Sequence, residues 1–152
     1  GAQVLDPFCG VGTMLIERAR VLKAGYMYGV DIYANAIEKA RVNAEAAEVD
    51  INFITRDFFD FHHKYLFDEI ITNMPTVTGT KSKGEIMELY ERFLHKAPGM
   101  LAVGGIMAIY TTEEGILQRC LKKCDFIEVL KRWTVREKEG SVLYVLQLEN
   151  ER

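Results

Sequence analysis

No run of about 18 apolar residues, the length of a membrane-crossing helix, occurs anywhere in the 152 residues of this chain. No signal-peptide pattern is visible either, so the expectation is a cytoplasmic domain without membrane association. Cysteine is scarce: Cys9, Cys120 and Cys124 are odd in number, widely separated and lack metal-ligand spacing, which argues against a disulfide frame and against a metal centre. Cys120 and Cys124 stand four residues apart, on one helical face, the arrangement of simply buried thiols. Positive charge is not in excess, with 19 Lys and Arg against 22 Asp and Glu and a formal net charge of −3. Gripping nucleic acid normally requires a basic face, so a substrate of that kind needs help from elsewhere. Lys81 and Lys83 lie close together, and Lys122, Lys123, Lys131, Arg132, Arg136 and Lys138 gather towards the C-terminus. These read equally well as solvated helix faces and loop tips. Internal repeats, low-complexity stretches and linkers are also missing.

What is present is an ordinary globular composition, 49% apolar and 27% charged, in a length that suits one domain with a substantial core. Strand and helix signals alternate along it, the rhythm of an α/β fold with a mostly parallel sheet. Strands are predicted near 3–8, 27–32, 51–55, 67–73, 104–111, 126–135 and 141–148. Helices are predicted over 13–24, 34–47, 84–96 and 113–123, with a short irregular or helical piece at 58–65. In the second helix Ala36, Ile37, Ala40, Ala44 and Ala47 recur at helical spacing. The last two strands are joined only by Arg136-Glu137-Lys138-Glu139-Gly140, too short for a parallel crossover, so they form an antiparallel hairpin. Trp133 alternates with polar neighbours and reads as core. The adjacent His62 and His63 cannot share one face and read as surface residues, and His95 falls near a helix C-terminus, where it favours the dipole.

The most informative stretch is Asp6-Pro7-Phe8-Cys9-Gly10-Val11-Gly12-Thr13. It leads an apolar strand through a glycine turn directly into a helix. Gly10 and Gly12 can take positive φ and bring backbone N–H groups close to a ligand, and the helix beginning near Thr13 aims its positive dipole end at the same spot. A dinucleotide fold prefers a third small residue where this chain has Leu15. Further along stand Gly29-Val30-Asp31, Arg56-Asp57 and Asn73-Met74-Pro75-Thr76. All of them fall at the carboxyl ends of predicted strands, where open parallel sheets bind ligands.

The octet resembles the first motif of the class I S-adenosylmethionine-dependent methyltransferases, in the form found in RNA methyltransferases often carried beside a THUMP domain. That family places acids after its second and third strands and an Asn/Asp-Pro-Pro-aromatic tetrapeptide after its fourth, the order seen here, and the similarity spans roughly residues 3 to 112. The resemblance implies a Rossmann-like sandwich with a seven-stranded, mostly parallel sheet in the order 3-2-1-4-5-7-6, ending in the antiparallel hairpin. It implies S-adenosyl-L-methionine as cofactor. Asp6 and the backbone of Phe8, Cys9, Gly10 and Gly12 would hold the methionine end, with Pro7, Thr13 and Asn73 also at the cofactor. Asp31 would accept both ribose hydroxyls, with capping of the following helix as its alternative role. Ile32 would offer an apolar edge to the adenine, Asp57 would accept the adenine amino group, and Phe58 would lie against the ring. Cys9 is then a small turn residue rather than a nucleophile, since no base is paired with it.

The tetrapeptide would carry the reaction. In the family the Asn side-chain oxygen and the next residue's carbonyl accept hydrogen bonds from an exocyclic amine, and the aromatic stacks on a flipped base. Asn73 and the carbonyl of Met74 retain those functions beside Pro75, but Thr76 stands where the aromatic belongs, and base–aromatic stacking is worth ~1–3 kcal/mol. Tyr90, Phe93 and Tyr110 are candidates to supply a ring instead. Loop 76–84, rich in small and hydroxyl residues, reads either as a lid over a substrate phosphate or as an ordinary flexible loop. The leading reading is methylation of an exocyclic amine of a base in RNA, guanine N2 in tRNA above all, with rRNA also open. Alternatives are another amine, on DNA adenine, protein or a small molecule, and a non-catalytic scaffold that keeps the cofactor site. The family usually carries a substrate-binding region before the first strand, so an excised catalytic domain, lacking such a THUMP-like segment, is expected; the oligomeric state is open.

Overall fold

Each βα unit of the sequence resolves into one strand and one crossover in the computed structural model, which describes residues 1–149. Five parallel strands, β1 (Gln3–Asp6), β2 (Tyr26–Asp31), β3 (Asn52–Thr55), β4 (Phe67–Asn73) and β5 (Leu101–Thr111), are extended by the hairpin of β6 (Ile127–Arg136) and β7 (Ser141–Leu148), in which β7 runs antiparallel to its neighbours β5 and β6. Their order is β3-β2-β1-β4-β5-β7-β6. The insertion of the last strand beside the fifth, which only the family resemblance implied, is present, with Tyr110 opposite Leu143 and Ile106 opposite Gln147. β1 therefore lies between β2 and β4, and the chain leaves it in opposite directions on the two sides. That reversal opens a crevice at the strands' carboxyl ends.

Helices cover both faces. α1 (Thr13–Val21) and α2 (Ala34–Ala46) bury Leu15, Ile16, Ile37, Ala40 and Ala44 against Val4, Met27, Phe53 and Ile71. α3 (Lys83–Lys96) and α4 (Glu114–Leu121) cover a larger core on the other face, built around Phe58, Phe67, Tyr90, Phe93, Leu94, Met107 and Ile109. Each such side chain removed from water stabilises the fold by roughly 1.5–3 kcal/mol. α3 begins on a reciprocal cap, Ser82 Oγ accepting from the Glu85 amide while the Glu85 carboxylate accepts from the Ser82 amide.

Several boundaries differ from the sequence reading, for local reasons. β5 starts at Leu101 rather than near 104, because Gly104 takes a φ of +79° and a register shift in the β4–β5 pairing carries the strand through it. The helix from Thr13 ends at Val21, where Leu22 is already extended, and the piece at 58–65 condenses to one 3₁₀ turn, Phe58–Asp60. Trp133 is not in the core: it is 46% exposed, because β6 is the sheet edge and buries only Ile127. His63 is not simply a surface residue either, since its ring packs 4.5 Å from that of Tyr28 and 4.9 Å from that of Phe67. No helix among the described residues is long and apolar enough to cross a membrane.

Candidate cofactor and substrate cleft

The glycine turn is shaped by what packs beneath it. Gly12 has a φ of +89° and stands at the N-cap of α1, and a Cβ there would come within 3.1 Å of the Phe53 ring. Both the left-handed backbone and the missing side chain are thus used. The Cys9 amide donates to the Val30 carbonyl at 2.9 Å and the Gly12 amide to the Cys9 carbonyl at 2.9 Å, which folds the turn back over β2. Cys9 is 6% exposed, and burial, helped by the charges of Asp6 and Asp31, pushes its thiol far above the usual range. A thiol held protonated in this way is no nucleophile.

Three carboxylates frame the turn. Asp6, 1% exposed at the end of β1, accepts from the Thr72 hydroxyl at 2.6 Å and the Phe8 amide at 3.1 Å through one oxygen. Desolvation outweighs those bonds and raises its pKa to about 7. Asp31, at the end of β2, accepts from the Gly10 amide at 2.9 Å and the Tyr33 amide at 2.9 Å, and so ties the turn to the second strand. It is not the N-cap of α2, a place taken by Tyr33 without a side-chain bond. Asp57 caps the 3₁₀ turn through the Phe59 amide at 2.9 Å. Lys96 fastens that turn from α3, its ammonium donating to the carbonyls of Phe58 at 2.6 Å and Phe61 at 2.7 Å.

The tetrapeptide follows β4 directly. The exposed Asn73 side chain has no hydrogen-bond partner among the described residues. The Met74 amide donates to the Tyr110 carbonyl at 2.8 Å, which leaves the Met74 carbonyl free to accept, while its side chain is 2% exposed. The Pro75 carbonyl is engaged by the Tyr90 hydroxyl at 2.8 Å, and Tyr90 also bonds Thr111 at 2.7 Å. Tyr90 and Phe93 are wholly buried, so neither presents a ring face to a base.

One cleft of about 310 Å³, within the size range of small-molecule sites, brings together Pro7, Phe8, Asp31, Ile32, Asp57, Phe58, Asn73 and Pro75. Asp6, Cys9, Gly10, Gly12, Met74 and Thr76 support or border it without lining it, and Thr13 lines a separate groove beside α2. Tyr33, Arg56, Phe59, Lys81, Leu89 and Arg92 line the cleft and were not assigned from sequence. Phe59, directly after Phe58, presents a half-buried ring with the Arg92 guanidinium 4.0 Å above its centre. Its only signal in the sequence was adjacency. Thr72 was legible in principle only once the order 2-1-4 is known, because the residue before Asn73 then lies one position past the level of Asp6, within reach of its carboxylate.

The family described as RMKL-like, methyltransferase domain, matches residues 1–139. Over 111 residues the chain is 34% identical to a tRNA (guanine(10)-N2)-dimethyltransferase of Methanothermobacter thermautotrophicus, covering 72% of this chain and 32% of that protein. Over 126 residues it is 32% identical to a tRNA (guanine(6)-N2)-methyltransferase of Thermus thermophilus, covering 80% of this chain and 37% of the other. It superimposes on the crystal structure of TrmN from Thermus thermophilus with a TM-score of 0.83 at 27% identity, over 98% of this chain and 44% of that one. The chain thus spans about a third of the length of the curated relatives it matches.

Proposed function

Because this chain belongs to the RMKL-like methyltransferase domain family, we propose that it transfers the methyl group of S-adenosylmethionine to an exocyclic amine of a base in RNA, with guanine N2 of tRNA as the specific target. The observation that carries the reading is the placement of Asn73, its side-chain amide unengaged, on the same cleft as Asp31 and Asp57. The cofactor would bind with its ribose at Asp31, its adenine against the exposed Ile32 with its amine at Asp57, and its methionine end over the turn from Asp6 to Thr13; Phe58, 2% exposed, packs beneath as core rather than offering a ring face to the adenine. A sulfonium supplies an electrophilic methyl carbon and leaves as a neutral thioether. The protein's part is positional. Asn73 Oδ1 and the Met74 carbonyl accept the two N–H bonds of the amine, favour its pyramidal form and point its lone pair at the methyl. The proton released afterwards passes to solvent, so no strong base is required. A base within paired RNA must first be flipped out. The guanine-N2 names of both tRNA-modifying relatives support the choice of target, and a cytoplasmic location suits it.

The threonine at position 76 favours one second reading, a domain that keeps the cofactor but no longer transfers the methyl. Radiolabelled cofactor offered to tRNA, rRNA and DNA separates the two. Label in tRNA at guanine N2 supports the proposal. Cofactor binding by calorimetry with no label in any pool supports the second reading, and binding of a nicotinamide dinucleotide in its place overturns both.

A further inference from the structure

Three cations line the cleft, and none of them has a carboxylate within ion-pair distance among the described residues. Salt bridges among the described residues engage only Arg18, Arg20, Lys123, Arg132 and Arg136, so unpaired cations are common in this chain; what sets Arg56, Lys81 and Arg92 apart is that all three line one cleft. Each projects from an anchored backbone. The Arg56 amide donates to the Asp31 carbonyl at 2.9 Å, between the ends of β2 and β3. Lys81 closes a small loop, its amide bonding the Thr78 hydroxyl at 3.1 Å and its carbonyl accepting the Thr78 amide at 3.0 Å. The Arg92 guanidinium carbon stands 4.0 Å from the centre of the Phe59 ring, and its N–H groups have no acceptor among the described residues, so they are open to one.

The charge balance indicates what that acceptor is. Only Asp31 and Asp57 among the lining residues are acidic, so the lining of the cleft carries a surplus of one positive charge in a chain whose formal net charge is −3. S-adenosylmethionine, with a sulfonium, an ammonium and one carboxylate, is itself a net cation. Binding it adds like charge to like. The cofactor's single carboxylate can engage at most one of the three cations, so the others are open to an anion that enters beside it.

We propose that Arg56, Lys81 and Arg92 seat the phosphates flanking the target nucleotide, and that RNA and cofactor consequently bind with positive coupling. The inference rests on the RNA reading above and deepens it: the cofactor's cationic charge is answered by the substrate rather than by the protein. Coupling of this kind is reciprocal, so RNA tightens the cofactor by the same factor as the cofactor tightens RNA.

The test uses the full-length protein that carries this chain and its Arg56→Gln, Lys81→Gln, Arg92→Gln and triple variants. Cofactor affinity is read by calorimetry, and tRNA affinity by filter binding across a salt series. For the triple variant the slope of log affinity against log salt falls by about 2, tRNA affinity drops ~10–100-fold, and cofactor affinity without RNA is unchanged or higher. Each single variant gives part of the slope change. The wild type binds the cofactor several-fold more tightly with tRNA present, and the triple variant loses that gain. If the variants bind the cofactor alone more weakly, the cations belong to the cofactor and the inference fails. An unchanged salt slope with tRNA still bound overturns this inference alone. Wild type that binds cofactor but no tRNA, rRNA or DNA at low salt overturns the RNA reading, and this inference with it.

Discussion

At the β1–β2 end of the cleft the groups that would meet a ligand are already held: Asp31 by two amides, Asp6 by a hydroxyl and an amide, and the glycine turn by the carbonyl of Val30. At the β4 end the opposite holds. The Asn73 side chain is unengaged and exposed, Thr76 offers no ring, and Lys81, in the loop that follows, has no counter-ion among the described residues. The first end is preorganised and buried, the second preorganised only in its backbone, through Tyr90 and Met74. A site that is complete before binding pays little ordering cost. A site completed by its ligand gains selectivity from what that ligand brings. On the proposed assignment, the cofactor half and the substrate half thus differ in which partner supplies the missing interactions, and each is expected to be disturbed without the other.

The largest effect on stability is expected from the buried carboxyl of Asp6. Its folded-state pKa, about 7, lies above the ordinary 3.8, so below pH 7 the folded protein holds a proton that the unfolded chain has released. Stability is greatest at the acid end of this window and falls as pH rises towards 7, then levels off. Between pH 5 and 7 the loss is on the order of 3 kcal/mol. Glu114 does not intrude, because Arg132 and Tyr144 hold it at about 2 and its own contribution is lost only below about pH 4.5. Urea denaturation of the ligand-free protein at pH 5, 6, 7 and 8 measures the slope. Asp6→Asn, which keeps an oxygen for Thr72 and Phe8, removes it. Saturating S-adenosylmethionine, by setting an ammonium beside this carboxylate, flattens it in the wild type; a slope indifferent to cofactor places the ammonium elsewhere.

Asn73→Ala is expected to act only at the substrate end. Transfer to RNA in single turnover falls ~10²–10³-fold, the loss that follows removal of one positioned hydrogen-bonding group in a transition state. Cofactor affinity measured by calorimetry stays within about twofold of wild type, since the hydrogen bonds read from the structure make Asn73 no part of the preorganised end. Equal losses of binding and transfer would erase the distinction between the two halves. Asp31→Ala gives the complementary result. It removes a charged acceptor worth ~1.5–3 kcal/mol, so the cofactor dissociation constant rises roughly tenfold to a hundredfold while transfer at saturating cofactor changes little. A loss of transfer that saturation cannot restore would give Asp31 a role beyond binding.

The same division governs how much was legible in the sequence. The strand order came only from the family resemblance. The alternation of strands and helices, the terminal hairpin, the glycine turn and the acids after β2 and β3 were readable because each is local: a glycine at positive φ or an acid at a strand end leaves its mark within a few residues. Arg92, Lys96 and Phe59 were not, because they meet only when α3 folds down onto the 3₁₀ turn after β3, more than thirty residues away in the chain. Trp133 misled because alternation reports which sheet face a residue is on, but not whether the strand is an edge. Tyr90 was read as a possible stacking ring, since its position in α3 gives the helix face but not the depth. The structure makes it an internal strut.

That strut supports the smallest expected effect and the finest test of the comparison. A hydrogen-bond chain runs from the Glu113 amide to the Thr111 hydroxyl, from there to the Tyr90 hydroxyl, and on to the carbonyl of Pro75. The Glu113 carboxylate closes it by accepting from the Val77 amide at 2.8 Å. Tyr90→Phe keeps the ring that fills the core and deletes only the hydroxyl, so the loss is that of a neutral buried bond, about 1 kcal/mol of stability. Near the tetrapeptide the consequence is geometric: with the Pro75 carbonyl released, the backbone that presents Asn73 and the Met74 carbonyl loosens. The rate of transfer at saturating RNA and cofactor should fall several-fold, while the affinity for cofactor remains that of the wild type. Denaturation and calorimetry on the one variant separate these. If cofactor binding weakens in step with stability, Tyr90 braces the whole cleft. If only transfer declines, the bracing is confined to the β4 end, where the ligand rather than the fold completes the site.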